Sequence, residues 1–246
     1  MVELYNQNCF ELLPKLESNS IDAIICDPPY NISFESNDWD KDFNIFQAID
    51  ECVRILKPNG NLILFQGWSN VCTTKCYLDQ ECPGLICQDW IIWDRIKGRG
   101  ASKHLISTRE DILWYSKGSD YIFNKLPSKI KKITDGLGLK NGCEFRMLSN
   151  VWTDISPIVP WSSEHNQHPT QKPIELLERC ILLWTKEKDT VLDFTMGSGT
   201  TGVAAIKCNR NFIGVEINTE YYRTAEQRIN ESKQLYKHPI KFIKLR

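Results

Sequence analysis

The run Asp27-Pro28-Pro29-Tyr30 is one candidate for chemistry, and it directly follows the short apolar segment 21–26. Two consecutive prolines fix φ twice and remove two N–H donors, so that carbonyl oxygens stay free to accept hydrogen bonds. A carboxylate beside a rigid carbonyl makes an acceptor pair for an NH₂ group, and the tyrosine ring offers a flat face for stacking. A strand-ending proline turn would explain the prolines, but neither the acid nor the ring.

A glycine-rich turn at residues 196–202 (MGSGTTG) is the second candidate. Its G-x-G-x-x-G spacing allows a tight turn and brings backbone close to a ligand, beside the positive end of the helix predicted to follow. Glu216 ends the next predicted strand, where an acid can accept hydrogen bonds from ribose hydroxyls. The order of strand, loop, helix, strand and acid predicts a nucleoside site, and the alternative is a tight turn with an ordinary surface Glu.

Two other ligands are commonly bound by a glycine turn of this kind. A phosphate-binding loop is disfavoured because no Lys follows the glycines. An NAD-binding domain normally begins with such a loop and continues through several more strands, whereas little chain follows Gly202. The other strands must come from the N-terminal half, so the strand order is predicted to be permuted. An NAD-dependent oxidoreductase remains an alternative that explains the glycine turn alone.

The elements that position both candidates alternate between apolar strands and amphipathic helices, which is typical of an α/β fold with a parallel sheet. Helical spacing predicts a helix over 43–56 that stops at a Pro58-Asn59-Gly60 turn, before a strand at 61–65. Residues 119–167 lack periodicity and are interpreted as an irregular insert. Further strands are predicted at 90–93, 112–115, 190–194 and 211–217, and further helices at 174–184, 200–207 and 219–235.

Composition excludes several classes of protein. With 41% hydrophobic and 25% charged residues in 246, the chain is typical of a globular protein and not of a disordered or fibrous one. No apolar run is long enough for a membrane span, and no leader for export is recognised, so we expect a cytoplasmic protein. The ten cysteines are then expected to be reduced, and the spacing of those at 72–87 does not match a zinc site, so no metal is predicted.

Three motifs together resemble the β class of amino-directed DNA methyltransferases that use S-adenosylmethionine. They are DPPY at 27–30, HPTQKP at 168–173, and VLDFTMGSGTTG at 191–202 followed by FIGVEIN at 212–218. The resemblance implies a Rossmann-like, mostly parallel sheet in circularly permuted order. It also implies one domain over 1–246, with an inserted target-recognition region at about 97–165.

The resemblance implies a role for each matching residue. Asp27 and the Pro28 carbonyl would hold the target amine, Pro29 would complete the rigid corner, and Tyr30 would stack on a flipped base. The residues implied to bind the cofactor are Asn8, Cys9, Asp27, His168, Thr170, Lys172, Asp193, Phe194, Thr195, Gly197, Ser198, Gly199, Thr200 and Glu216. Of these, His168, Thr170 and Lys172 are expected at the carboxylate end of the cofactor.

Two positions depart from the family pattern. Asn8 stands where the family usually has an Asp near the adenine of the cofactor, which keeps an acceptor but loses its charge. The family usually shows Asp-Pro-Phe before the glycines, whereas this chain has Asp193-Phe194-Thr195, so the aromatic ring is moved by one place.

The net charge of −1 argues against nucleic-acid binding when the chain is taken as a whole. However, the segment 95–146 contains 12 Lys and Arg against 5 Asp and Glu, and it lies where the family places target recognition. We therefore expect this segment to contact DNA phosphates, rather than to be only a solvated face. The residues predicted to contact DNA are Lys97, Arg99, Lys103, Arg109, Lys129, Lys131 and Lys132.

The predicted activity is methyl transfer from S-adenosylmethionine to the N6 amine of a flipped adenine in double-stranded DNA. Within the family an Asp at the first position of the run is more usual for adenine and a Ser for cytosine, so Asp27 favours adenine and an N4-cytosine enzyme is the alternative. A homodimer and a cognate restriction endonuclease are left open as partners.

Overall fold

The computed structural model describes residues 1–30, 43–99, 103, 105–131, 145–159, 161–162, 164–165 and 170–236. Its strands are β1 Val2–Tyr5, β2 Ile21–Cys26, β3 Leu56–Gln66, β4 Ile86–Arg99, β5 Ser107–Ser116, β6 Pro127–Lys131, β7 Phe145–Met147, β8 Val151–Trp152, β9 Thr190–Asp193 and β10 Asn211–Val215. Its helices are α1 Cys9–Leu12, α2 Ile45–Ile55, α3 Val71–Glu81, α4 Ile174–Trp184, α5 Thr200–Lys207 and α6 Thr219–Leu235.

Eight of these strands form one sheet, in the order β1-β10-β9-β2-β3-β5-β4-β8. The pairs of β1 with β10, β10 with β9, β9 with β2, β2 with β3 and β4 with β8 are parallel, whereas β5 is antiparallel to both β3 and β4. The α/β class with a mostly parallel sheet is therefore confirmed, and its one reversed strand is β5.

The predicted permutation is confirmed by the neighbours of β9. This strand precedes the glycine turn and lies in the sheet between β10 and β2, while β1 from the chain's beginning pairs outside β10. From β9 the chain continues to one side, to β10, and from β2 it continues to the other, to β3. Ligands of open α/β sheets bind at the carboxyl ends of strands where the order reverses in this way.

Two hydrophobic clusters cover the two faces of the sheet. Successive residues of β2 enter different clusters, because side chains alternate along a strand. Ile24 packs in the cluster that contains Ile49 and Cys52 of α2, and Ile25 packs in the one that contains residues of α4, α5 and α6. The sheet is therefore packed between helices on both faces, and this packing fixes the positions of the strand ends from which the carboxyl-end loops begin.

The segment from α2 to β3 differs from the predicted helix and turn. The helix ends at Ile55 and β3 begins at once, since Leu56 already pairs with Ile21. Asn61 pairs with Ala23, so the four residues 57–60 lie opposite Asp22 alone and form an irregularity within the strand. The predicted proline and glycine turn is absorbed as a bulge, in which Asn59 has a positive φ of 64°.

The predicted irregular insert contains short strands. β8 extends the sheet beside β4, and β6 pairs with β7 in a separate two-stranded sheet. These strands are two to five residues long and largely exposed, so they carry no apolar alternation that sequence reasoning could detect. Within the described ranges, no helix is both long and apolar enough to cross a membrane.

Candidate active site

A cleft of about 670 Å³ opens at the carboxyl ends of β2 and β9. Its volume lies in the range typical of small-molecule and cofactor sites. The segments that line it include the loop after β2, the loop after β9, residues of β4 and β5, and residues 170–172. The two sequence motifs that were predicted to act together, residues 27–30 and the glycine turn, are therefore neighbours in the same cleft.

Tyr30 is fixed against Asp27 by contacts that two segments provide. Its hydroxyl donates a hydrogen bond of 2.5 Å to Asp27 Oδ1, and its backbone carbonyl accepts one of 2.5 Å from Asn70 Nδ2. A Cβ at Gly67 would lie 3.0 Å from Tyr30 Cδ2, so a glycine there leaves room for the ring. Burial, together with the Asp27 carboxylate, raises the pKa of Tyr30 and keeps the hydroxyl protonated.

Lys172 contacts Asp27, a partner that the sequence did not predict. Its ammonium forms an ion pair with Asp27 Oδ2 and a second one, at 3.1 Å, with Glu110 Oε2. Although burial opposes the charged form, the two carboxylates raise the pKa of Lys172 above its ordinary value. Its expected contact with the carboxylate end of the cofactor stays a prediction. Thr170 also lines the cleft, and His168 lies outside the described residues.

Glu110 is a cleft residue that sequence reasoning missed. It lies on β5 and pairs with Lys172 on one side and, at 3.3 Å, with Arg95 Nη1 of β4 on the other. In the sequence it was only one of five acids in a basic segment. The signal that it belongs in the cleft is its burial among charged residues, which requires the fold.

The glycine turn is shaped by backbone contacts. The Gly197 N–H donates to Glu216 Oε2 at 2.9 Å, and the Met196 N–H donates to the carbonyl of Val215 at 2.8 Å. Gly199 has a φ of +79°, and a Cβ there would lie 2.8 Å from Ala225 Cβ. Only glycine therefore satisfies both the left-handed backbone and the close packing of α6 behind the turn.

Two carboxyl groups at the glycine turn have raised pKa values. Burial raises the pKa of Asp193 to about 6, although Thr201 Oγ1 donates a 2.6 Å hydrogen bond to it. Burial also raises the pKa of Glu216 to about 7, opposed by the N–H groups of Asn218 and Gly197. Buried acceptors of this kind form strong hydrogen bonds with a ligand, because little water competes for them.

The displaced aromatic residue has a consequence that the structure resolves. Thr195, in the place of the usual Phe, donates through Oγ1 to the Asp27 carbonyl at 3.3 Å and thus joins the two loops. Phe194 is buried, and its ring lies parallel to that of Phe43 with centroids 6.5 Å apart. The Phe10 ring is 5.2 Å from that of Phe43, so aromatic surface reaches the cleft from other segments.

The remaining predicted cofactor residues lie around this end of the cleft. Asn8, Cys9, Ser198 and Thr200 all line it. The Asn8 side chain accepts the N–H of Phe10 at 3.0 Å and so caps α1. Burial raises the pKa of Cys9 to about 12, so that it is an apolar thiol at neutral pH.

The basic residues predicted to contact DNA are only partly described. Lys103 and Lys131 are exposed. Arg109 lines the cleft, where its Nε lies 3.3 Å from Asp111 Oδ2, and Lys129 forms an ion pair with Glu175 of α4. Lys97 and Arg99 lie on β4, but the structure does not describe their side chains. Lys132 lies outside the described residues.

The N6/N4 family model described as DNA methylase matches residues 21–227, which include both halves of the cleft. The chain belongs to this family. It is 34% identical to the type II methyltransferase M.HpaI of Haemophilus parainfluenzae, over 91% of this chain and 72% of that protein. It is also 34% identical to M1.MboII of Moraxella bovis (93% and 96%) and 33% identical to the DNA adenine methyltransferase YhdJ of Escherichia coli (95% and 84%).

Solved structures support the same assignment. The complex of M1.HpyAVI with S-adenosylmethionine has a TM-score of 0.67 at 31% identity, over 93% of this chain and 100% of that one. The cytosine-N4-specific PvuII methyltransferase has a TM-score of 0.68 at 19% identity, over 96% and 91%, and shows the shared fold. The chain is therefore a DNA methyltransferase that depends on S-adenosylmethionine. The NAD-dependent alternative is wrong, because the family that the chain belongs to transfers methyl groups from S-adenosylmethionine.

The described residues fit this cofactor. The backbone of the glycine turn lies so close to α6 that there is no room for a side chain at Gly199. The turn also lies beside Glu216, a buried hydrogen-bond acceptor. Such a turn approaches a nucleoside closely, and such an acid accepts from its ribose hydroxyls. Among the residues whose placement is described, no group of three or more His, Cys, Asp or Glu is arranged to hold a metal ion.

Proposed function

We propose that this enzyme methylates the N6 amine of an adenine flipped out of double-stranded DNA. The observation that carries the proposal is the position of Asp27 and Tyr30 in the cleft that also contains the glycine turn. We call Asp27, Tyr30, Glu110 and Lys172 the amine end. The cofactor end comprises residues 193–200 and Glu216. The Asp in the first position of DPPY and the adenine-methylating relative YhdJ favour adenine.

Each end of the cleft has a distinct task. At the cofactor end, Glu216, Asp193, Gly197 and Ser198 would hold S-adenosylmethionine, which supplies a methyl group bound to a positively charged sulfur. At the amine end, Asp27 would accept a hydrogen bond from the target NH₂. The two ends together hold donor and acceptor of the methyl group in one geometry, and positioning of this kind accounts for a large part of catalysis.

The amine needs help because its lone pair is delocalised into the base. Hydrogen bonds to the Asp27 carboxylate and the Pro28 carbonyl localise that pair on nitrogen. The nitrogen would then take the methyl group from the sulfonium, which would leave as the neutral thioether with the bonding electrons, and the positively charged nitrogen would release one proton to water. Flipping the base costs about a few kcal/mol, which stacking on Tyr30 offsets.

DNA would lie across residues 97–165, which include most of the basic segment 95–146 and which we propose as the target-recognition region. The exposed residues Lys103 and Lys131, together with the half-exposed Arg109 at the cleft, support this placement. Contacts of Lys and Arg with phosphates position a protein on DNA without reading its sequence. The chemistry requires neither a homodimer nor an endonuclease partner, and we propose that it takes place where the cell's DNA is, in the cytoplasm.

The test is methyl transfer from labelled S-adenosylmethionine to unmethylated DNA, followed by mass spectrometry of the nucleosides. We expect the label in N6-methyladenine. Label in N4-methylcytosine would replace the adenine assignment by the second candidate, since the family model covers both N6 and N4 methylases. Transfer to neither base in DNA of varied sequence would contradict the proposal.

A further inference from the structure

The amine end contains an ion cluster that hydrogen bonding to a target amine does not explain. Lys172 lies between two carboxylates, in contact with Asp27 Oδ2 and 3.1 Å from Glu110 Oε2. Arg95 Nη1 lies 3.3 Å from the other oxygen of Glu110. Charges therefore alternate in sign from Asp27 outward to Arg95.

Two of these groups are largely withdrawn from water. The side chains of Lys172 and Glu110 are 9% and 13% exposed, whereas those of Asp27 and Arg95 are 24% and 32% exposed. In the described part of the chain, no donor meets Glu110 Oε2 at hydrogen-bonding geometry, so the charge of Lys172 is what balances it. Electrostatic coupling within a buried group of this kind is strong, because solvent screens it little.

The charge count explains why Glu110 matters. Asp27 and Lys172 alone are a neutral pair, and a neutral pair gives little stabilisation to the positive charge that develops on a nitrogen attacking a methyl group. With Glu110 the three groups Asp27, Lys172 and Glu110 carry a net charge of about −1, and the charge of Arg95, the most exposed of the four, is screened most by solvent. Preorganised charge is most effective where charge develops in the transition state.

We infer that Glu110 is a positioning residue that acts through Lys172: it holds the ammonium against Asp27 and keeps the amine end negative while the methyl group is transferred. This inference rests on the proposed role of Asp27. The ion cluster joins three separate segments, since Asp27 follows β2, Lys172 precedes α4 and Glu110 lies on the reversed strand β5. Lys172 and Asp27 are 145 residues apart in the chain.

Removal of one charge tests the inference. Glu110→Gln leaves the Asp27 and Lys172 pair neutral, so we expect kcat to fall about tenfold to a hundredfold. The KM for DNA and the Kd of S-adenosylmethionine should stay within about twofold, because Glu110 is not proposed to contact either ligand. A wild-type kcat in this variant would overturn the inference.

A second substitution distinguishes charge from structure. Lys172→Met alone leaves two facing carboxylates and should also lower kcat. The double variant Glu110→Gln, Lys172→Met restores a single negative charge on Asp27, so its kcat should exceed that of Glu110→Gln at least about threefold. If the cluster were only structural, the double variant would be no faster than either single variant, and this outcome would overturn the inference.

The chain offers a matched control outside the cleft. Glu178 has the same 13% side-chain exposure as Glu110 and pairs with Lys207. Glu178→Gln should change the thermal unfolding temperature and leave kcat unchanged. If Glu110→Gln does not fold, the comparison of Lys172→Met with the double variant gives the same test, and a double variant that is no faster overturns the inference.

The outcomes separate this inference from the proposed function. A wild-type enzyme that transfers no methyl group to DNA would overturn both. A wild-type enzyme that methylates adenine, with Glu110→Gln equally fast, would overturn the role of Glu110 and leave the proposed function intact. As a readout besides activity, binding of S-adenosylmethionine by calorimetry should be the same in wild type and in Glu110→Gln.

Discussion

At the cofactor end of the cleft Glu216 is held by backbone N–H groups from nearby in the chain, whereas at the amine end Lys172 forms ion pairs with carboxylates of distant segments. Glu216 accepts the Gly197 N–H 19 residues away and the Asn218 N–H two residues away. Lys172 meets Asp27 across 145 residues. One end depends on local backbone shape, and the other on how three segments pack.

This difference predicts which quantity a substitution changes. Altered backbone at the cofactor end should change cofactor affinity and stability. Altered charge or stacking at the amine end should change the rate of transfer, with the cofactor bound as before. Substitutions of the exposed lysines in the basic segment should change only the affinity for DNA.

The largest effect is expected for Asp27→Ala. Without the carboxylate the target amine loses its acceptor, so kcat should fall by about 10²- to 10⁴-fold. The Kd of S-adenosylmethionine, measured by calorimetry, should change little. An unchanged kcat with a weakened cofactor complex would place Asp27 at the other end of the cleft.

Tyr30→Ala is expected to have the next largest effect. Loss of a stacking partner for the flipped base should raise the barrier in kcat/KM by about 1–3 kcal/mol. Tyr30→Phe is the matched control, since it keeps the ring and removes only the hydroxyl that bonds Asp27. Steady-state kinetics should show a large loss for Ala and a small one for Phe, and equal losses in both would refute stacking.

Gly199→Ala probes the backbone at the cofactor end. Its φ of +79° and the 2.8 Å approach to Ala225 Cβ both oppose a side chain. The free energy of unfolding, measured with denaturant, should fall by about 1–3 kcal/mol. Gly84→Ala is the control, because a Cβ there meets nothing within 4 Å and should be nearly neutral. Equal stability of both variants would contradict the packing described here.

The raised pKa of Glu216 predicts that cofactor binding depends on pH. Its pKa of about 7 means that the carboxyl is protonated below pH 7 and ionised above it. Since the ionised form is the better acceptor for ribose hydroxyls, affinity should rise with pH, by at most about tenfold per unit below the pKa, and level off above it. In Glu216→Gln this rise should disappear, apart from the titration of Asp193 near pH 6. An identical profile in both proteins would contradict the role.

The smallest effect is expected for Lys131→Ala. Loss of one phosphate contact should weaken DNA binding by a few-fold and lower the slope of log K against log salt by about 0.9. The exposed Lys233 of α6, on which no DNA contact is proposed, provides the control variant. Fluorescence anisotropy at several salt concentrations measures the affinity and the slope. An equal slope for the Lys131 and Lys233 variants would show that Lys131 does not contact DNA.

Sequence reasoning was most successful where structure is local. Residues 174–184, 200–207 and 219–235 were predicted as helices with the bounds that α4, α5 and α6 have. The glycine turn and Glu216 were recognised because strand, turn, helix and acid follow one another within a short stretch. The permuted order was predicted as well, and β9 lies between β10 and β2 as that order requires.

The sequence was least informative where segments meet. Nothing in the sequence on either side of Glu110 indicates that Lys172 packs against it. That contact requires β5 to run antiparallel beside β3. The bulge after α2 was not predicted, because a proline, an asparagine and a glycine in succession, as at residues 58–60, are typical of a free turn as well as of a bulge. A charge count located the basic segment but could not show that Lys129 is paired with Glu175.

The most direct test of the two-ended cleft is a structure of the enzyme with its DNA and sinefungin, a non-reactive analogue of the cofactor. We predict that the target adenine lies outside the duplex, with its ring on Tyr30 and its amine within hydrogen-bonding distance of Asp27 and the Pro28 carbonyl. The nucleoside part of the analogue should contact Glu216. A target base that remains stacked in the duplex, or whose amine lies away from Asp27, would contradict the account.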